Sequence, residues 1–173
     1  MNQLWQKAAS FAAMAHLHQT RKDGQTPYIA HPCRVALTVR HVFQVGDPAV
    51  LAAALLHDTI EDGTTDYDDL LREFGPEVAD LAAALTKDKR LPEELRERRF
   101  HESLMRAPWK ARLIKLADAY DNLADAPGPA AATKARRKAV HAIELAHSPE
   151  PELQRAVAAL RELIASATPP QGS

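Results

Sequence analysis

The run Pro48-Ala49-Val50-Leu51-Ala52-Ala53-Ala54-Leu55-Leu56-His57 decides the architecture. It opens on a proline, which suits the first turn of a helix, and holds no further turn former. As a helix it is apolar on nearly all sides, so it belongs at the centre of a core. Both ends are marked. Gly46-Asp47-Pro48 stops the preceding element and restarts the chain, while His57-Asp58 opens a polar segment, Asp58 to Thr65, rich in acid and glycine.

Working outward, nearly every other segment also has helical period. Leu4, Ala8, Phe11, Ala12 and Ala15 form one stripe at spacings of three and four, and the first helix is taken to extend through His16 and His18. Arg21 to Ala30 breaks the pattern with Asp23-Gly24 and Pro27 and reads as a loop. A helix starts near His31-Pro32 and runs to about Gln44. Thr65 or Asp66 can cap a short helix Tyr67–Phe74, and Gly75-Pro76 separates it from Pro76–Leu85. Thr86 to Arg99 is charged and mixed in sign, with a break at Leu91-Pro92. A helix follows through Met105, and Ala107-Pro108 opens another that carries Ala111 to Ala124. After the turn Ala126-Pro127-Gly128-Pro129, two last helices cover about Ala130–Ala146 and Pro149–Ala167. No strand alternation or internal repeat stands out. The expectation is an all-α fold, one domain over residues 1–167 with a polar tail at 168–173.

Composition agrees with that class. The hydrophobic fraction is 46% and the aromatic fraction only 5%, which favours small side chains packed helix on helix. The formal charge is −1, from 22 basic and 23 acidic residues, so bulk attraction to nucleic acid or membrane is not expected. Cys33 is the only cysteine, which excludes an internal disulfide and suggests a reducing, cytoplasmic location. Met1-Asn2-Gln3-Leu4-Trp5 does not read as a signal peptide. The strongly apolar stretch Ala49–Leu56 is too short to span a bilayer.

His57 and Asp58 end the most buried segment, an odd place for two polar residues unless something binds them. His31 opens a helix after the loop. Asp118 follows the apolar face made by Leu113, Leu116 and Ala117, where an unpaired carboxylate would be costly. Two imidazoles and two carboxylates suit Mn²⁺, Fe²⁺ or Zn²⁺. Asp118 has an alternative partner in Lys115, one turn earlier, but that pairing explains neither histidine. Glu61 and Asp62 follow one turn after His57-Asp58. If the helical path persists, they lie over that pair; otherwise they are a solvated acidic loop.

The order His31, His57-Asp58, Asp118 resembles the HD phosphohydrolase superfamily. Arg21-Lys22-Asp23-Gly24 with Pro27-Tyr28-Ile29-Ala30-His31-Pro32 is similar to the hydrolase domain of RelA/SpoT-type enzymes. So are Ala52 to Asp62, and Leu113 to Asp118 followed by Asn122-Leu123. These blocks cover about residues 8 to 125 and are most similar to the stand-alone small alarmone hydrolases, a group that includes the metazoan SpoT homologue. The resemblance implies an HD helical bundle with one Mn²⁺ on His31, His57, Asp58 and Asp118, and Glu61 and Asp62 as the catalytic pair. It implies hydrolysis of the 3′-pyrophosphate of guanosine tetra- and pentaphosphate, (p)ppGpp, to GDP or GTP.

Arg21 and Lys22, in their glycine-containing loop, suit phosphate contact, and the resemblance places them on the nucleotide. Tyr28 either lines the base pocket or packs in the core. Asn122, on the face of Asp118, resembles a ribose contact. Lys115 and Arg98 complete the substrate-binding set, with Lys134, Arg137 and Lys138 as further candidates on the penultimate helix. Ala119 and Ala124 depart from the family pattern, where basic residues are usual, and put substrate preference in question. Two alternatives stay open: a phosphatase acting on NADPH or another nucleotide, and a non-catalytic alarmone-binding module. The chain reads as monomer or homodimer. His16, His18, His41, His101, His141 and His147 read as surface or satisfied histidines, and Trp5 and Trp109 as packing residues.

Overall fold

A computed structural model describes residues 3–63 and 65–167, and the helices follow in order. They are α1 (Leu4–Ala15), α2 (Ala30–Leu37), α3 (Pro48–Leu56), α4 (Thr59–Asp62), α5 (Tyr67–Phe74), α6 (Pro76–Leu85), α7 (Glu93–Arg106), α8 (Trp109–Ala124), α9 (Pro129–Leu145) and α10 (Pro151–Ser166). No strand occurs among the described residues. The fold is all-α, as its sequence pattern requires, and the tail 168–173 lies outside the described residues.

Helix α3 is the axis. Asp47 caps it by accepting hydrogen bonds from the N–H groups of Ala49 at 2.9 Å and Val50 at 3.3 Å, with Pro48 in the first turn. From Ala52 to Leu56 every residue is buried. With mostly alanine on its surface, α3 lets its neighbours approach closely, and α1, α2, α6 and α8 pack around it. Helix α8 supplies the second layer through Leu113, Ile114, Leu116 and Ala117, all fully buried, with α9 and α10 stacked behind it. The helix α3 and α8 chains therefore meet in the interior, and the polar residues that end or punctuate them are drawn together.

Local sequence explains most boundaries. Asp66, not Thr65, caps α5, in a reciprocal pairing with the Asp69 backbone and side chain. Gly75 turns the chain from α5 to α6 with φ +80°, a conformation that favours glycine. Two expectations need correction. Helix α1 stops at Ala15, so His16 and His18 lie beyond it, and His18 takes φ +66° to reverse the chain. The second helix does not continue regularly to Gln44. It stops at Leu37 and gives way to a π-helical turn, Thr38–Val42, closed by Phe43 N donating to Thr38 O at 2.9 Å. In the polar segment after His57 the helical alternative is the one that forms, as α4. No helix among the described residues is long and apolar enough to cross a membrane.

Leu116 is fully buried between the two layers. Leu116→Ala should cost roughly 2–5 kcal/mol of stability by leaving a cavity. Chemical denaturation followed by circular dichroism checks this; an unchanged midpoint would contradict the central position of α8.

Candidate metal centre

The C-terminus of α3 delivers the first two donors. His57 Nδ1 lies 2.9 Å from the Ala54 carbonyl, so Nδ1 carries a proton there and Nε2 presents its lone pair to the interior. That Nε2 is buried and makes no hydrogen bond, although Asp58 Oδ2 stands 3.1 Å away. Asp58 is held by the Tyr28 hydroxyl, which donates to its Oδ2 at 2.6 Å. Burial and the nearby Asp58 charge keep that hydroxyl protonated, with its pKa pushed well above the usual tyrosine value. Tyr28 thus orients a carboxylate, a task its sequence context did not disclose.

Helix α2 brings His31 and α8 brings Asp118. His31 Nδ1 contacts Asp121 Oδ2 at 2.6 Å, and its Nε2 faces Asp118 Oδ1 at 3.2 Å and Asp58 Oδ2 at 3.7 Å. A proton on Nδ1 shared with Asp121 leaves Nε2 as the donor atom, the same polarity as at His57. His31, His57 and Asp118 each offer one ligand atom, all mutually within 4.8 Å. Asp58 contacts both imidazoles from the side. Asp118 also pairs with Lys115 Nζ at 2.6 Å and accepts from Asn122 Nδ2 at 2.5 Å. The Lys115 pairing read from the sequence as an alternative is therefore present alongside the imidazole contact.

The charges show what this cluster attracts. Burial opposes a proton on His57, but Asp58 and Asp118 outweigh it and hold the imidazole up at about 9. Burial likewise opposes ionised Asp118, yet Lys115 and His31 keep its carboxyl well below the usual range. Two ionised carboxylates facing two imidazoles form a seat for a cation, which replaces the proton on Nε2. An orphaned buried Nε2 with a mixed nitrogen and oxygen donor set fits a divalent metal.

Helix α4 sets the flanking acids. Asp62 N donates to Asp58 O at 2.9 Å, so the helical path resumes directly after the His57-Asp58 pair. Glu61 is half-buried, and its Oε2 accepts the Lys87 backbone N–H at 3.0 Å. Burial, then Asp58 and Asp62, raise its carboxyl pKa, which suits a group that takes up and releases protons. Asp62 pairs with Lys89 Nζ. Gly63 follows at once, where a Cβ would come 2.4 Å from the Thr59 carbonyl, so only glycine lets the chain leave α4 this tightly.

A cleft of about 240 Å³ opens onto these groups. The four metal-type residues, Glu61, Asp62, Arg21, Lys22, Tyr28, Lys115 and Asn122 all line it. The loop that carries Arg21 is pinned by Asp23, whose carboxyl is held at about 2, first by the Thr26 hydroxyl and then by backbone N–H groups. Arg21 donates to Asn122 Oδ1 at 3.2 Å and to Asp125. Asn122 therefore bridges Arg21 and Asp118. Arg98 is exposed on α7 and does not line the cleft. A neighbouring groove shares Arg21, Lys22 and Asn122 and extends to Lys134 and Lys138 on α9.

Sequence reading missed three contributors. Asp121 is buried and binds both His31 and Arg34, the latter through Nε at 2.5 Å. Its spacing of three from Asp118 places both on one face of α8, which was an available signal. Lys87 acts through a backbone N–H, which leaves no trace in residue identity. Lys89 faces Asp62 only because the α6–α7 connection folds back over α4.

Comparison with known proteins gives the family. A family model described as "HD domain" matches residues 8–147. The chain is 45% identical over 120 residues to the guanosine-3′,5′-bis(diphosphate) 3′-pyrophosphohydrolase of Xenopus tropicalis, an alignment covering 69% of this chain and 67% of that relative. The Homo sapiens protein of the same name gives the same identity and coverage. A solved structure described as "A metazoan ortholog of SpoT hydrolyzes ppGpp and plays a role in starvation responses" superposes with a TM-score of 0.83. It is 30% identical, with 96% of each chain covered.

Asp121→Ala should weaken Mn²⁺ binding by roughly 10–100-fold, because His31 loses the group that fixes its donor nitrogen. Titration calorimetry checks this, and an unchanged affinity would contradict the role. In the unsubstituted protein the His57 proton competes with the cation. Affinity should therefore rise with pH up to about 9 and fall as the solution is acidified.

Proposed function

The chain belongs to the HD-domain family, and we propose that within it the protein removes the 3′-pyrophosphate of (p)ppGpp, giving GDP or GTP and pyrophosphate. The observation that carries this reading is the pair of imidazole Nε2 atoms turned toward Asp58 and Asp118, with Glu61 in the same cleft. The named activity of the pyrophosphohydrolase relatives supplies the substrate.

A divalent cation on His31, His57, Asp58 and Asp118 supplies a Lewis acid that lowers the pKa of water and neutralises charge on phosphoryl oxygens. Everything else is done by side chains. Glu61, with one oxygen fixed by the Lys87 N–H, takes a proton from the attacking water through its other oxygen. A new bond forms between that water oxygen and the phosphorus attached to O3′. The P–O3′ bond breaks, the ribose oxygen receives the proton that Glu61 took up, and pyrophosphate leaves. Asp62 stands beside Glu61 and orients the water.

The basic groups hold the anion. Lys115 is half-buried and stays charged, since Asp118 and its neighbours overcome the burial that would lower its pKa. It faces the scissile pyrophosphate, while Arg21 and Lys22 hold the nucleotide. Arg21 reaches the substrate by exchanging its Asp125 contact for phosphate. Asn122 acts by fixing Arg21 and Asp118 as well as by meeting the ribose. Manganese is assigned from the mixed donor set. A cytoplasmic location is assigned from the lone cysteine.

Pyrophosphate release is measured from ppGpp and pppGpp with Mn²⁺ and with chelator, beside phosphate release from NADPH. Manganese-dependent release from the alarmones is expected, and its absence, or turnover of NADPH alone, would overturn the reading. Glu61→Gln combined with Asp62→Asn should retain nucleotide binding and lower turnover by roughly 100-fold or more. An unmodified protein that binds ppGpp without turning it over would instead identify a binding module.

A further inference from the structure

Helix α4 is a single turn, closed by Asp62 N donating to Asp58 O at 2.9 Å and Gly63 N to Thr59 O at 3.1 Å. Nucleating so short a helix is unfavourable on its own. The orientation of Glu61 and Asp62 therefore depends on contacts from outside the turn. The Lys87 N–H fixes one oxygen of Glu61, and Lys89 meets the Asp62 carboxylate. A further contact reaches the backbone. The last carbonyl of α4, Asp62 O, lies where a helix has no internal partner to offer, and it accepts from Gln19 Nε2 at 2.8 Å.

Gln19 is itself held in place. Its carbonyl accepts from Tyr28 N at 2.8 Å, and its N–H donates to His16 O at 3.1 Å. Its side-chain Oε1 lies 2.8 Å from His16 Nδ1. A peptide carbonyl only accepts, so the amide atom facing Asp62 is the nitrogen and the one facing His16 is the oxygen. An amide oxygen also only accepts, so the proton of that second contact sits on His16 Nδ1. The hydrogen bonds thus run one way, from His16 through Gln19 to Asp62. His16 is buried, and its Nε2 has no hydrogen-bond partner among the described residues. An apolar side chain would fill the same space without leaving a buried nitrogen unpaired, so the imidazole serves there through Nδ1. Its ring also packs 4.7 Å, centroid to centroid, from Tyr28, whose hydroxyl holds Asp58. The end of α4 sits against the same turn, since a Cβ on Gly63 would come 3.6 Å from the Ala15 carbonyl.

We propose that Gln19, oriented by His16, is the positioning residue that sets the α4 turn, and with it Glu61 and Asp62, over the metal-type donors. The proposal rests on the hydrolytic reading of Glu61 given above. None of residues 16–19 lines the cleft, so the pair acts through α4 and not on the substrate.

Gln19→Met keeps the length of the side chain and removes both of its hydrogen bonds. In Mn²⁺-saturated protein it should lower kcat for ppGpp roughly 10–100-fold, with KM and Mn²⁺ affinity within about twofold of the unsubstituted values. His16→Leu should act in the same direction and add no further loss to Gln19→Met, since both break one chain of bonds. His16→Asn places an amide donor near the position of Nδ1 and should recover part of kcat. An unchanged kcat in Gln19→Met, a loss confined to KM, or a His16→Asn protein no more active than His16→Leu would overturn the proposal. Amide hydrogen exchange tests the positioning apart from turnover. In Gln19→Met the Asp62 and Gly63 amides should exchange roughly 10-fold faster while those of α8 keep their rates. Unchanged rates at Asp62 and Gly63, or faster exchange throughout the chain, would count against Gln19. If the unsubstituted protein does not turn over ppGpp, the hydrolytic reading fails, and the exchange rates alone decide whether Gln19 sets α4.

Discussion

The hydrogen bond from His57 Nδ1 to the Ala54 carbonyl, 2.9 Å long at the end of α3, ties the chemistry to the core. A free helix terminus leaves its last carbonyls to water. Here one of them consumes an imidazole proton instead, and the opposite nitrogen is left facing inward without a hydrogen-bond partner. Because α3 is buried from Ala52 to Leu56, the position of that nitrogen is set by packing. The metal-type donors from α2 and α8 converge on it for the same reason: their helices pack against α3. The site is a consequence of how alanine-rich helices close around a central one.

Charge organises the next layer. The interior of the cleft concentrates Asp58, Glu61, Asp62 and Asp118, while Arg21, Lys22, Lys87 and Lys115 surround them. Acids near the centre attract a cation, and bases around it attract an anion, so the two ligands do not compete for the same groups. The connections are shared. Arg34 and Asp125 link Arg21 to Asp121 and so to His31. The Arg21 loop is thereby linked through hydrogen bonds to His31.

The helices were legible because proline, glycine and acidic caps punctuate them at Asp47-Pro48, Asp66 and Gly75-Pro76. What escaped was backbone detail that residue identity does not encode, such as the π-helical turn after Leu37 and the early end of α1. At the site, the spacing of His31, His57-Asp58 and Asp118 was legible as chemistry before it was legible as geometry. Asp121 and Tyr28 were harder, since each acts on a residue far away in sequence and each had an ordinary packing or surface reading. Lys87 was out of reach because its contribution to Glu61 is a peptide N–H. The bond from Gln19 to Asp62 required knowing that the turn after α1 lies against α4, which no local pattern states.

The central claim is that the two Nε2 atoms and the two carboxylates hold one catalytic cation. Anomalous diffraction from crystals grown with Mn²⁺ tests it most directly. The account predicts a manganese peak bonded to His31 Nε2 and His57 Nε2 at about 2.1–2.2 Å, with Asp58 and Asp118 completing the protein ligands. A saturated crystal with no peak there, or with manganese bound through Nδ1 of either histidine, would contradict it.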